Sequence, residues 1–420
     1  MKSPQGRILF ITPQPFMAHR GSPLRVKATV ETVVQLGYEV DLLAYPLGED
    51  IDMPEVTLFR APALLPVRSV KIGASLTKVV LDLLLFLKAF ALVVRRRYVA
   101  VHGIEEAAFI AAIVARVARV PYFVDMHSSM VEQLRAQPST NRPWLLNAFG
   151  KLFARCVRGA SGVLTVCDEL TNEIRGSFKT PAFTAMDLPL DACRNVSDAQ
   201  VQELRKELGL ENRRVLLYAG NLASYQGVEL LIRAFAHLIK GSAPAAASLS
   251  LLVLGGAIEE EKTRREYVAL AEELGVTASV VFRRAVPSAE TGNYLALADV
   301  LVSPRLTGSN TPLKIYSYLV ARRPIVATRI SSHTQVLTDD CAYLCEPEVA
   351  ALAQALWRPF ENSPEAMQER EAKVSRASRI IDLRQWHLAF HKAIASLYTP
   401  VGASVELVEE RFSLNASVNS

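Results

Sequence analysis

Disulfide chemistry has little to work with in this sequence. The five cysteines are an odd number and no CxxC pair occurs. That argues against a disulfide framework or a zinc site, and for a reducing cytoplasm. No apolar run is long enough to span a bilayer. The longest, "VVLDLLLFLKAFALVV" from Val79 to Val94, contains Asp82 and Lys88 and falls short of the roughly 20 residues required. The first apolar run, "ILFITP", is too short for a signal-peptide core and ends at Pro13, so no leader is expected. Basic residues form no stripe. The Arg pairs at 213–214, 264–265, 283–284 and 322–323 are scattered, which argues against a nucleic-acid groove. Internal repeats and low-complexity blocks are absent as well.

What is present suits a large packed core. The chain has 420 residues, half of them hydrophobic and 21% charged, with a net charge of +5. Such a composition supports two or three domains and excludes global disorder. Arg95, Arg96 and Arg97 follow the Val79–Val94 run directly. Two readings of that stretch stand: a core helix against a sheet, or a helix resting in a membrane interface with its arginines near anionic headgroups.

Short apolar runs alternate with helical patterns. "RILFIT", "EVDLLAY", "VAVHG", "YFVDMH" and "GVLTVC" read as strands, with "TVETVVQLG" and "EEAAFIAAIVARVARV" as helices between them. Apolar strands separated by helices predict a parallel sheet covered on both faces. The alternation pauses at "MDLPLDACRNVSDAQ", Met186 to Gln200, and restarts with "RRVLLYAGN", "SLSLLVLGG", "SVVFRRA", "DVLVSP" and "RPIVAT". The expected class is therefore α/β, with two Rossmann-like domains facing a central cleft and ligands at the carboxyl ends of the strands. The expected boundaries are 1–190, 200–380, a helix at 381–398 crossing back to the first domain, and a flexible tail at 400–420.

Three stretches of the second half could hold an anion. In "LLYAGNLASYQGVELLIRAF", Gly220 and Gly227 permit tight turns before a helix whose free N–H groups attract negative charge. An ordinary strand-to-helix connection fits the same residues. "LLVLGG" stops at Gly255 and Gly256, which leaves room for a flat ligand or marks a plain turn. In "GSNTPLKIYSYLVARRPIVAT", Asn310 or Thr311 can cap a helix, Pro312 suits its first position, and Leu313, Tyr316 and Val320 make an apolar stripe. Lys314 then falls in the first turn, where the helix dipole disfavours a cation. Diphosphate would give Lys314 and the nearby Arg305 a partner. A solvated surface lysine is the other reading.

In the first half, Gly21 and Ser22 form a loop before a helix carrying Arg25 and Lys27. "VHGIEE" and "VDMHSS" each close a strand, so His102, Glu105 and His127 come to strand ends. A single histidine there is more often structural, and two of them on successive strands favour a site.

Together these segments resemble the GT-B glycosyltransferases, of the retaining family 4 type, across about residues 7–398. The resemblance rests on "LYAGNLASYQGVELLIRAF", "VVFRRAVPSAETGNYLALADVLVSP", "TPLKIYSYLVARRPIVAT" and "VDMHSS". It implies a nucleotide-sugar donor held by the second domain and a glycan or lipid-linked acceptor held by the first. It also implies retention of anomeric configuration and no metal or other cofactor. The place implied for such an enzyme is the cytoplasm, at the face of a membrane if Val79–Arg97 makes peripheral contact.

The resemblance assigns His127 to the position beside the donor sugar, while Glu105 is a candidate acceptor base from its strand-end place. Two glutamates eight positions apart mark the family, and they fall on Ser309 and Ser317. The family's basic pair near the diphosphate falls on Asn221 and Gln226, both neutral. Lys314 and Arg305 are expected to supply the missing charge. The donor set is then Gly220, Asn221, Gln226, Gly255, Arg305, Ser309, Asn310, Thr311, Pro312, Lys314 and Ser317. A GT-B subunit that binds without turnover, or a sugar-nucleotide epimerase, are the alternatives.

Overall fold

The structure is a computed structural model that describes residues 5–16, 21–48, 50, 53–64, 76–136, 140–189, 196–241, 248–256, 260–308 and 310–398. The chain divides into two compact units, 1–188 with 384–420, and 189–383. Ser309 and the expected tail at 400–420 lie outside the described residues.

The first unit is built on seven parallel strands. They are β1 (Arg7–Ile11), β2 (Glu39–Ala44), β3 (Val56–Arg60), β4 (Ala100–Ile104), β5 (Tyr122–Met126), β6 (Gly162–Thr165) and β7 (Ala182–Thr184), in the order β3-β2-β1-β4-β5-β6-β7. Six helices run between them: α1 (Gly21–Gln35), α2 (Leu76–Arg95), α3 (Ala107–Ala118), α4 (Met130–Ala136), α5 (Pro143–Gly159) and α6 (Asp168–Ser177).

Alternate residues of β1 feed opposite faces, as strand geometry requires. Leu9 and Ile11 pack with α2 and α3 on one side, through Leu85, Ala89, Ala111 and Val114. Ile8 and Phe10 pack with α1 on the other, where Phe390, Ile394 and Leu397 join from the C-terminal helix.

The second unit repeats the plan. After α7 (Asp198–Glu207) come β8 (Arg214–Gly220), α8 (Val228–Gly241), β9 (Leu249–Gly255), α9 (Glu261–Glu273), β10 (Val280–Arg283), α10 (Thr291–Leu297), β11 (Val300–Ser303), α11 (Leu313–Val320), β12 (Ile325–Thr328), α12 (Ser331–Thr334), β13 (Tyr343–Cys345), α13 (Val349–Trp357) and α14 (Pro364–Ile380). The sheet order is β10-β9-β8-β11-β12-β13, all parallel. The last helix, α15 (Leu383–Tyr398), carries the chain into the core of the first unit.

The apolar runs read as strands are strands. The three that pattern reading missed are β3, β7 and β13, and all lie at a sheet edge. An edge strand buries less, so its residues need not be uniformly apolar: β3 has no fully buried residue, and β7 and β13 have three residues each. The order reverses between β1 and β4, and again between β8 and β11. At such a reversal the flanking connections diverge and open a crevice at the carboxyl ends of the strands.

Candidate functional site

The second unit gathers its polar groups at the β8/β11 reversal. β8 ends at Gly220, paired with Gly255 on β9. A side chain at Gly255 would put its Cβ 1.7 Å from the Gly220 carbonyl oxygen, so glycine is required for the two strand ends to lie this close. At Gly220 a Cβ would meet Lys314 Nζ at 2.7 Å. The bare backbone there is what admits the lysine. Asn221 caps the following turn, its Oδ1 accepting from the Ala223 N–H at 3.2 Å.

Lys314 is half-buried. Its Nζ donates to Gln226 Oε1 at 3.1 Å and lies 3.9 Å from the centre of the Tyr218 ring. Arg305, on the loop after β11, is buried and folded onto its own loop. It donates to the Thr307 carbonyl at 2.7 Å, to the Asn310 carbonyl at 3.0 Å and to Asn310 Oδ1 at 3.2 Å, and stands over the Tyr225 ring. Among the described residues neither cation pairs with a carboxylate. Burial first, and then Arg305, holds the Lys314 ammonium well below its ordinary pKa. Burial likewise lowers Arg305.

The start of α11 differs from the expected cap. Pro312, not Asn310 or Thr311, is the N-cap, in an extended conformation with ψ 135°, and Leu313 is the first helical residue. The apolar stripe differs too. Ile315, Tyr316, Tyr318 and Leu319 are buried, whereas Leu313 and Val320 are only half-buried. The helix is enclosed on a wider face than a three-residue stripe allows. Lys314 stays at the second position of the helix, beside its N-terminal turn, where the Ile315 N–H bonds the Pro312 carbonyl at 2.9 Å. Thr311 is buried and its Oγ1 has no hydrogen-bond partner among the described residues. Ser317 is buried within α11.

His333, which pattern reading did not select, supports this corner from below. Its Nε2 lies 2.9 Å from Ser303 Oγ and its Nδ1 is 2.8 Å from the Thr328 carbonyl oxygen. Thr328 in turn donates to the Arg305 carbonyl. Burial lowers the His333 pKa to about 4, and the charges of Lys314 and Arg305 act in the same direction. The imidazole is therefore neutral at pH 7. Tyr218 was missed as well; as the last large side chain before Gly220, only its ring's place beneath Lys314 gives it a role.

The first unit has its own cluster at the β1/β4 reversal. Gly21 and Ser22 are not a loop but the first turn of α1, and Arg25 lies inside that helix. Arg25 is buried and turned inward. It donates to the Ala185 carbonyl at 2.6 Å and pairs with Asp187 at 3.0 Å and Asp125 at 3.4 Å. Two carboxylates already claim its charge, so it is a structural cation and not an open anion ligand.

Ser22 Oγ is 2.7 Å from His127 Nδ1, and His127 Nε2 is 3.5 Å from Asp125 Oδ2. Glu105 follows β4 in a left-handed conformation, φ 50°, with its N–H bonded to the Asp125 carbonyl at 2.8 Å. Ser128 Oγ donates to Glu105 Oε1 at 2.9 Å. Burial raises the Glu105 carboxyl to about 7; Glu106 adds to the rise, and the nearby His127 opposes it. Residues 102, 105 and 127 thus converge, while Arg25 serves Asp125 behind them. No group of three or more His, Cys, Asp or Glu among the described residues could hold a metal ion.

Two family profiles match the chain: "Glycosyl transferase 4-like domain" over residues 20–182 and "Glycosyl transferases group 1" over residues 213–362. Alpha-D-kanosaminyltransferase of Streptomyces kanamyceticus is 25% identical over 317 residues, 71% of this chain and 76% of that protein. A GDP-mannose-dependent alpha-(1-6)-phosphatidylinositol monomannoside mannosyltransferase of Mycolicibacterium smegmatis is 27% identical over 205 residues, 47% of this chain and 52% of that one. Among solved structures, Anabaena HepE in complex with UDP-glucose superposes with a TM-score of 0.68 at 16% identity, covering 93% of this chain and 100% of the other. The chain belongs to the GT-B glycosyltransferases of group 1. It is a nucleotide-sugar-dependent transferase.

Proposed function

We propose that the enzyme moves a sugar, with retention and without a metal, from a nucleoside diphosphate sugar to a glycan or lipid-linked acceptor. The observation that carries the donor half is the pairing of Lys314 and Arg305 with no carboxylate. Two enclosed cations beside a helix N-terminus stabilise the charge that develops on a departing diphosphate. Gln226 stands where the family has a cation, and Lys314 Nζ reaches it. That supports the reading that the charge has moved to α11. Ser309 and Ser317 replace the family's carboxylates, and Ser317 would offer one short hydrogen bond to the nucleoside.

In the first unit His127 acts on the sugar being transferred and Glu105 takes the acceptor proton. A carboxyl held near 7 is matched to that task at neutral pH. The purified protein incubated with a panel of nucleotide sugars and acceptors tests this. Expected is transfer with the donor's anomeric configuration kept, lost in Lys314→Ala. Binding without turnover would favour a non-catalytic subunit, and conversion of the free donor an epimerase.

The acceptor side includes a membrane surface, at the cytoplasmic face. Helix α2 buries Leu81, Leu84, Leu85, Ala89 and Leu92 but exposes Val79, Leu83, Leu87, Phe90 and Val94. It therefore serves as a core helix and presents an apolar stripe outward. Arg95 and Arg97 are exposed at its end, whereas Arg96 is drawn to Asp41 at 3.0 Å. No helix among the described residues is long and apolar enough to cross a membrane, so the contact proposed is peripheral. Salt-sensitive sedimentation with anionic vesicles, lost in Leu83→Glu/Leu87→Glu, is expected; absence of binding at low salt overturns it.

A further inference from the structure

Three buried polar atoms near the end of β4 have only one another. Asp125 Oδ2 lies 3.6 Å from His102 Nε2 and 3.5 Å from His127 Nε2. None of the three makes a hydrogen bond to any other described group. Each histidine spends its second ring nitrogen on a hydroxyl: His102 Nδ1 is 2.5 Å from Tyr398 Oη, and His127 Nδ1 is 2.7 Å from Ser22 Oγ. One chain of contacts therefore runs Ser22–His127–Asp125–His102–Tyr398, from the first turn of α1 to the last residue of α15.

Packing keeps the chain in register. His102 stacks on Phe10 at 4.4 Å between ring centres, and Tyr398 sets its ring against Phe123 at 4.8 Å. Arg25 faces the other carboxylate oxygen of Asp125. Burial alone would push the Asp125 carboxyl up, but Arg25, and after it His127, outweigh burial and hold it well below the usual range. Asp125 is a carboxylate, which only accepts.

With both rings neutral, counting protons leaves one consistent arrangement. A neutral imidazole donates from one nitrogen and accepts at the other. Both Nε2 atoms face the carboxylate, so both must carry hydrogen. Both Nδ1 atoms then accept, from the Tyr398 and Ser22 hydroxyls. The opposite tautomer would set a nitrogen lone pair against a carboxylate in a buried site, where an unmade hydrogen bond costs about 1–3 kcal/mol.

We propose that Asp125 is a positioning residue that locks His127 and His102 in the same Nε2–H tautomer, and that Tyr398 acts on His127 through this chain. The lock leaves Nδ1 as the accepting atom of His127, the atom now taken by Ser22. A substrate hydroxyl that displaces Ser22 would meet a lone pair and not an N–H. The link to turnover rests on the reading that His127 acts in sugar transfer; the tautomer itself does not.

The test uses the full chain labelled with ¹⁵N-histidine, its imidazole signals assigned by single His→Gln variants. Expected in the unaltered protein is the Nε2–H pattern for both His102 and His127. In Asp125→Asn the amide oxygen is held by Arg25, which only donates, so the amide N–H groups face both Nε2 atoms and the rings are expected to switch to Nδ1–H. The kcat should fall about 100-fold, with KM within about threefold.

Tyr398→Phe keeps the ring packing and removes only the hydroxyl. Expected there are shifts of the His102 and His127 signals together and a fall in kcat of about threefold. This variant decides the matter if Asp125→Asn does not fold. An Nδ1–H pattern or a doubly protonated ring for His127 in the unaltered protein overturns the lock. Movement of His102 alone in Tyr398→Phe overturns the coupling. The expected signals with unchanged turnover in both variants support the lock and remove His127 from the reaction.

Discussion

Lys314 Nζ sits 3.9 Å from the centre of the Tyr218 ring while donating to Gln226 Oε1 at 3.1 Å. A ring face and an amide oxygen orient an ammonium without neutralising it. A cation–π contact of this kind is worth about 0.5–2 kcal/mol, less than a buried ion pair offers. The lysine is thus aimed, and its charge is left for an anion.

Replacing Lys314 by methionine should separate folding from binding. The folded pKa of Lys314 lies below its unfolded value. Its contribution to stability is therefore lost as pH falls from about 10 toward the folded pKa. Lys314→Met should remove that dependence and raise the melting temperature at pH 7. Affinity for UDP or GDP should fall roughly 30-fold or more, as when one partner of an enclosed charge pair is truncated.

Glu105 predicts a pH profile. Its carboxyl is held at about 7 in the folded protein, against about 4.3 unfolded. An acid raised in this way contributes stability below pH 4 and loses it as pH climbs to 7. As a base it must be ionised, so kcat/KM should rise through pH 7 and level off. Glu105→Gln should flatten that rise, lower turnover at least about 100-fold, and make the fold more stable at pH 8.

The two glycines at the strand ends should fail differently. An alanine at Gly255 meets backbone, at 1.7 Å from the Gly220 oxygen, and no side-chain movement relieves it. Chemical denaturation should show a loss of more than about 2 kcal/mol. At Gly220 the first contact is the flexible end of Lys314. Gly220→Ala, strained by its backbone φ of 158°, should lose less stability than Gly255→Ala and bind diphosphate more weakly, as read by nucleotide titration.

Arg322, just past the Ala321 cap of α11, has φ 54°, a left-handed conformation that suits glycine. It is exposed. Arg322→Gly should stabilise the protein by about 1 kcal/mol, read as a melting shift of about 3 °C, with no change in donor affinity.

Much of this architecture is written in apolar alternation. The buried strands of both sheets are continuous runs of Val, Ile and Leu, and their order in sequence already implied parallel pairing. The edges were not legible, because β3, β7 and β13 bury too little to need an apolar signature. The partners of Arg25 were not legible for a related reason. Helical spacing places it on α1, but nothing local says that Asp125 and Asp187, far along the chain, converge on its guanidinium. Its charge looks available in sequence and is consumed in the fold. Pro312 was off by one position, capping α11 from an extended conformation instead of opening its first turn.

By itself the sequence determined the two parallel sheets, the glycines at the strand ends and the family. Each of these depends on local pattern: an apolar period, a missing Cβ, a motif at fixed spacing. Tertiary structure alone decided which charges are free. Lys314 and Arg25 look alike as basic residues near helix starts. Among the described residues, packing delivers two carboxylates to Arg25 and an aromatic face and an amide to Lys314. The availability of a charge depends on which distant groups the fold brings within a few ångströms, and residue type alone does not carry that information.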